Sequence, residues 1–518
     1  MERRQRVVGI GAGIAGLVAA LRLAAAGIEV TVLERAARPG GKMRSVSVAG
    51  RPVEAGPTVF TMRWVFEEVF AEAGARLAER VRLSPAGILA RHAWNAGERL
   101  DLFADIDASA EAITAFAGST EAEGYRRFCA RAAEVYRTLE GPFIRSERPS
   151  PIDLGRRVGL SGIGKLWRIQ PFATLWGALG DYFRDPRLRQ LFARYATYCG
   201  SSPFQAPATQ MLVAHVEQEG VWYVEGGLSR LAQAVADLAS EHGAALHFAT
   251  PARRILVERG RVTGVETEDG TRIPADAVVA NADVSALGSG LFGREAARAV
   301  EPVRAAERSL SAVTFCVAAR AEGFPLVRHN VFFSGDYRAE FAAIRRGDLP
   351  PDPTIYLCAQ DRGDGGAAPD RRELGPERIL CLVNAPARAE RPLTSQEIDR
   401  CATTMRARLA ACGLSLATEP GAVTTTPSGF EALFPATGGA LYGRASHGWT
   451  ATFKRPGART RLPGLYLAGG SVHPGPGVPM AAQSGRIAAD SLLSDLGLSR
   501  ASTRPSAAAA TRGGTSMP

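Results

Sequence analysis

The chain opens on two apolar runs separated by a helical pattern. Val7, Val8 and Ile10 form a short continuous hydrophobic run, as expected for a central parallel strand buried on both faces. From about Ile14 to Ala26 the chain is rich in Ala and Leu, and Gly27 follows as a stop, which predicts a helix. Ile28 to Leu33 predicts a second strand, ending at Glu34. Farther along, Leu231, Val235 and Leu238 put one apolar face on a helix opened by Glu225-Gly226-Gly227-Leu228. Strands are predicted around Arg253, at 262–265 and at 278–281, with a turn at Asp269-Gly270. Near the C-terminus, Leu465 to Ala468 reads as a strand, followed by a glycine-proline loop and a helix from about Pro479 to Leu493. Residues 64–224 read as helical, and 284–442 as mixed strand and helix with Pro- and Gly-rich loops at 347–353 and 361–369.

Glycine spacing adds chemistry to the first of these units. Gly11, Gly13 and Gly16 follow the first strand and open the helix at Ile14 and Ala15, and Glu34 lies 18 residues beyond Gly16. That order suits a dinucleotide: a tight turn, close approach of backbone to pyrophosphate, close helix–strand packing, and an acid for a ribose hydroxyl. The helix N-terminus would face the phosphates. Because the C-terminal strand, loop and helix start have the same character, both ends of the chain are expected to grip one long cofactor, FAD.

Composition narrows the alternatives. Hydrophobic residues make up 46% of the 518, ample for several buried cores. The formal charge of +10 comes without a nucleic-acid motif, so an anionic membrane surface is the expected acidic partner and nucleic acid is not. Basic Arg3, Arg4 and Arg6 precede an apolar stretch, but Arg22 interrupts it and the glycines keep fingerprint spacing, so it reads as nucleotide fold and not as a targeting peptide. Seven cysteines without a CxxC read as buried thiols of a cytoplasmic protein, and the scattered histidines predict no metal site. Between Arg156 and Arg194 eight basic residues face only Asp181 and Asp185, interleaved with Trp167, Phe172, Trp176, Tyr182, Phe183 and Phe192. That mixture suits either a helix lying on anionic lipid or an ordinary amphipathic cap whose aromatics are core. Residues 498–518 have the composition of a disordered tail.

The stretch from Glu34 through Arg35, Pro39-Gly40-Gly41-Lys42 and Arg44-Ser45 resembles the fingerprint extension of the flavoprotein superfamily that holds amine oxidases and phytoene desaturases. Lys42 stands where Arg is more usual. Glu54-Ala55-Gly56-Pro57-Thr58 resembles its flavin-side segment, and Gly470 to Pro479 is similar to a segment of the bacterial phytoene desaturases. The likeness covers nearly the whole chain. Segments 41–45, 56–62 and 187–203 bring it nearest to the branch acting on 1-hydroxycarotenoids, although Phe60 replaces a shorter aliphatic residue. The resemblance implies an α/β fold: an FAD-binding Rossmann-like domain of the glutathione reductase/amine oxidase type, a mixed-sheet substrate domain and a helical membrane-associating cap. The expected divisions are 1–70, 225–285 and 443–497 for FAD, 71–224 for the cap and 286–442 for substrate. Expected cofactor contacts are Gly11, Gly13, Ile14, Ala15, Gly16, Glu34, Arg35, Gly40, Gly41, Lys42, Arg44, Gly56, Pro57, Thr58, Arg253, Gly469, Gly470, Val478, Pro479 and Met480.

The activity so implied is FAD-dependent desaturation at C-3,4 of acyclic 1-hydroxy or 1-methoxy carotenoids, by a protein peripheral on the inner membrane. The electron acceptor stays open between oxygen and quinone. A polyene spreads developing positive charge, so orientation matters more than a strong base. His215, Glu217, Glu219, Glu225, His447 and His473 are ionisable near flavin-side segments, and none is singled out as catalytic. Alternatives are a phytoene- or neurosporene-type desaturase, a carotenoid isomerase, an amine-oxidase-type flavoenzyme and a non-enzymatic lipid carrier of the same fold.

Overall fold

A computed structural model describes residues 4–158, 172–363 and 375–498. Its nucleotide-binding unit is a five-stranded parallel sheet gathered from distant parts of the chain, in the spatial order 465–467, 277–280, 6–10, 29–33, 245–247. The strand Arg6–Ile10 lies in the middle and is buried from Val7 onward, as its uninterrupted apolar run requires. Helices Ile14–Ala25, Leu228–Glu241 and Val478–Asp495 pack into one core beside it. An antiparallel three-stranded sheet, 252–258, 261–267 and 272–274, sits beside this unit.

The second layer is an eight-stranded mixed sheet. Its path runs 415–418, 311–322, 377–385, 355–359, 329–332, 88–93, 99–103, with Val423–Thr425 also paired to the long strand Ser311–Glu322. Two of these strands, Ile88–Ala93 and Arg99–Phe103, come from the stretch expected to be helical. They join because His92 and its alternate neighbours are buried on both faces of the sheet, and only the 329–332 pairing is parallel.

Helices Ile106–Ala117 and Ser119–Leu139, followed by shorter turns, form the cap over this sheet. Phe183 and Phe192 are core residues there, stacked at 4.6 Å, whereas Phe172 is 59% exposed. The basic-aromatic stretch is thus partly cap core, and Lys165, Trp167 and Arg168 lie outside the described residues, as does the tail from 499 onward. Among the described residues no helix is long and apolar enough to cross a membrane.

Candidate active site

Both sheets and the cap enclose one cavity of about 2060 Å³. Typical small-molecule sites measure roughly 300–1,000 Å³, so this one has room for a dinucleotide and a long substrate together. Of the twenty sequence-predicted contacts, all but Gly16 and Arg253 line it. Gly16 serves the turn instead: a Cβ there would stand 2.1 Å from the Gly11 carbonyl oxygen, so only glycine lets the helix sit this close to the strand. Arg253 is exposed and does not line the cavity, whereas its neighbours Pro251 and Ala252 do.

The cradle fits FAD on its own chemistry. Glu34 is 6% exposed and accepts from the Ala12 amide at 2.6 Å and the Ala36 amide at 2.7 Å. A carboxylate has about four lone-pair sites, so capacity for ribose hydroxyls remains. Asn281 donates its Nδ2 to the Ala468 carbonyl at 3.0 Å, while its buried Oδ1 has no partner. Asn281 lines the cavity with Gly13 and Gly469, where an orphaned acceptor suits a polyhydroxyl ligand. The N-terminal turns of the helices beginning at Ile14 and Val478 both open on the cavity and favour negative charge there.

Three cations border the same space. Lys42 Nζ donates to the Leu441 carbonyl at 2.5 Å, and burial pushes its pKa down against the pull of Asp283. Arg44 lies 6.0 Å from the Phe430 ring, toward the loop after Val423–Thr425. Arg455, which the sequence did not mark out, is 2% exposed and donates to the carbonyls of Tyr442 and Gly470 at 3.1 Å and of Arg444. Burial pushes its pKa down to about 10.

The cavity then leaves the flavin-side segment. Thr58 Oγ1 lies 2.6 Å from the Tyr356 hydroxyl, which lies 2.7 Å from His329 Nδ1. Burial, with Arg328 and Arg194 nearby, pushes His329 down to about 3, so this imidazole stays neutral. An apolar arm continues between Leu139, Phe143, Ile144, Leu212, Val213 and Val216. Phe172 and Trp449, with ring centroids 5.3 Å apart, line its outer end and are both exposed.

Of the six ionisable candidates, only Glu217 lines the cavity. Its carboxylate accepts from the Tyr195 hydroxyl at 2.7 Å and the Tyr198 hydroxyl at 2.6 Å. His473 Nε2 faces the carbonyls of Phe143 and Ser146 at 2.9 and 3.0 Å, a packing role. His447 Nε2 accepts from the Ser202 amide at 3.1 Å, and His215 pairs with the exposed Glu219 at 3.2 Å. Glu225 is exposed beside Arg82.

Residues 14–493 match the flavin containing amine oxidoreductase family. The chain belongs to that family. Its cofactor is FAD, and it is an oxidoreductase. It falls in the carotenoid desaturase branch: it is 55% identical over 498 residues to a hydroxyneurosporene desaturase of Rubrivivax gelatinosus, covering 95% of this chain and 94% of that one. It is 46% identical to a protein of the same name from Cereibacter sphaeroides, covering 95% of this chain and 98% of the relative. Its fold is that of a putrescine oxidase structure, with TM-score 0.59, 14% identity, and 95% and 99% coverage. When bound, FAD supplies two-electron oxidation. Glu34 and the two helix starts are the groups that would hold the cofactor, and the apolar lining beyond Thr58 is space that would suit an apolar substrate.

Proposed function

We propose that this protein introduces the C-3,4 double bond into acyclic 1-hydroxy or 1-methoxy carotenoids. The observation that carries the reading is the large, mainly apolar cavity shared by the cofactor cradle and the Leu139, Phe143, Ile144, Leu212, Val213 and Val216 wall, in a chain 55% identical to a hydroxyneurosporene desaturase. An arm lined by Leu, Ile, Val and Phe gains from burying a polyene at about 25 cal/mol per Å². Of the six ionisable candidates only Glu217 reaches the cavity, and Tyr195 and Tyr198 occupy both of its oxygens, which fits chemistry in which the polyene itself spreads positive charge. The exposed pair Phe172 and Trp449 at the outer end favours substrate uptake from a membrane surface, with the protein peripheral to it. Electrons then pass to oxygen or a quinone.

Cells that accumulate a 1-hydroxy acyclic carotenoid and express this chain test the reading. Loss of two hydrogens from the pigment, with a red-shifted spectrum, is the expected result. Unchanged pigment in cells whose purified protein is yellow would overturn it.

A further inference from the structure

The wall of the apolar arm carries one polar cluster that cofactor binding does not use. Arg194, Tyr198, Gln210 and Glu217 all line the cavity, contributed by the 3₁₀ turns Arg194–Cys199 and Ala208–Met211 and the helix Leu212–Gln218, which pack on one another. Arg194 is 7% exposed, Gln210 8% and Glu217 5%. Arg194 Nη1 donates to the Tyr198 hydroxyl at 3.1 Å, and that hydroxyl donates to Glu217. Tyr195 donates to the other Glu217 oxygen. Burial pushes both phenols up, so they remain protonated donors. The cation and the carboxylate are therefore compensated through Tyr198, and the charge cost of the cluster is met within it. Two atoms are left over: Arg194 Nε, a donor, and Gln210 Oε1, an acceptor, both buried and without a partner.

An orphaned buried donor and an orphaned buried acceptor on one cavity wall are what a hydroxyl satisfies, since it accepts one bond and donates another. An apolar chain end satisfies neither. Arg194 is also near enough to the Tyr356 phenol to act on it electrostatically, and that phenol bonds Thr58 of the flavin-side segment, which puts the cluster on the side of the cavity that Thr58 lines. In a 1-hydroxy carotenoid the hydroxyl carbon is two bonds from C-3, and fixing the hydroxyl fixes which bond meets the cofactor.

We propose that Arg194 and Gln210 form the recognition site for the terminal oxygen of the substrate, Arg194 Nε–H donating to it and Gln210 Oε1 accepting from its hydroxyl proton. This rests on the function proposed above. It makes a division of labour: a hydroxyl engages both residues, a methoxyl only Arg194, and an unsubstituted end neither. A site built for a substrate hydroxyl rejects the analogue lacking it strongly, up to about 10⁴-fold, because the site's polar groups are then left unpaired.

The test uses the full-length FAD-loaded protein and three substrates in the same lipid vesicles: 1-hydroxyneurosporene, its 1-methoxy ether and neurosporene. Wild type should favour the hydroxylated over the unsubstituted polyene by at least about 10²-fold in kcat/KM. Gln210→Leu should cost the hydroxylated substrate at least about 10-fold more than the methoxylated one. Arg194→Lys keeps the charge beside Tyr198 and removes Nε, and should narrow the preference of both oxygenated substrates over neurosporene. The flavin spectrum of each variant reports folding. If wild type turns over none of the three, the functional reading itself fails. If wild type is active and either variant, with flavin intact, lowers all three substrates by one common factor, the recognition site is overturned while the desaturase reading stands.

Discussion

At the scale of single residues, the buried acid Glu340 carries a pH dependence separate from the site. Its Oε2 accepts from the Ser334 hydroxyl at 2.8 Å, the Thr354 hydroxyl at 2.7 Å and the Thr354 amide at 3.2 Å, but Oε1 has no partner. Burial outweighs these bonds and pushes its pKa from the ordinary 4.5 up to about 7. A raised acid binds its proton more tightly in the folded state, so its contribution is full below pH 4.5 and is lost as pH rises through about 7. At roughly 1.4 kcal/mol per pKa unit the loss is on the order of 3 kcal/mol. Thermal unfolding of wild type and Glu340→Gln between pH 5 and 8 should show the wild-type Tm falling relative to the variant; parallel curves would count against the assignment. Such a residue was illegible in the sequence, because nothing in Tyr337–Arg346 distinguishes a buried glutamate from a solvent-facing one. Glu34 was legible for the opposite reason: its place at the end of a strand after the glycines is set by local spacing. Arg455, Arg194 and Gln210 acquire their roles only when segments distant in sequence close on one cavity, and spacing holds no record of that.

Among elements, the crossing of the first and last helices governs the cofactor site. The helices Ile14–Ala25 and Val478–Asp495 each present their first turn to the cavity, and they touch where a Cβ on Gly485 would stand 2.1 Å from the Ala15 carbonyl oxygen. That neighbour is backbone and cannot swing away. Gly485→Val should therefore separate the two helix starts, costing on the order of 1–3 kcal/mol as an overpacked contact. The checks are flavin content after purification and Tm: both should fall, and free flavin should partly restore Tm by mass action. Full flavin content in the variant would argue that the crossing does not set the site. The helices and the strands of the parallel sheet were readable because their patterns are local: period 3.6 at Leu231, Val235 and Leu238, and unbroken apolar runs at 7–10 and 277–280. The strands Ile88–Ala93 and Arg99–Phe103 were not. Arg91 and Arg99 break their apolar pattern, and the Arg91 guanidinium is held by Asp101 across the pair at 2.6 Å, a compensation visible only once the strands are paired.

Taken whole, the molecule lines one cavity with both the cofactor cradle and two exposed aromatic rings, which bears on how a water-insoluble substrate arrives. Ile152 is 68% exposed, Phe172 59% and Trp449 44%, and Phe172 and Trp449 form an edge-to-face pair at the outer end of the arm. Exposed large apolar side chains are ordinary when scattered, but a pair in contact at a cavity mouth marks a place where something apolar docks. In sequence, Phe172 falls within a stretch, Arg156 to Arg194, that holds eight basic and two acidic residues. An exposed ring pair, with a basic stretch adjoining Phe172 in sequence, favours an anionic lipid surface as the docking partner. Burying one such ring is worth about 1.5–3 kcal/mol, so the double variant Phe172→Ser, Trp449→Ser should weaken binding to vesicles containing anionic lipid at least ~10-fold. Co-sedimentation measures this, and salt should weaken wild-type binding while leaving part of it, because screening acts on the cations and not on the rings. The same variant separates delivery from chemistry. With substrate supplied in detergent micelles, turnover should fall less than it does from vesicles, since only the two rings' part in lining the cavity is then lost. With substrate dissolved in vesicles it should fall in step with vesicle binding. Equal losses in both media would instead show that Phe172 and Trp449 act as cavity lining alone and have no part in delivery.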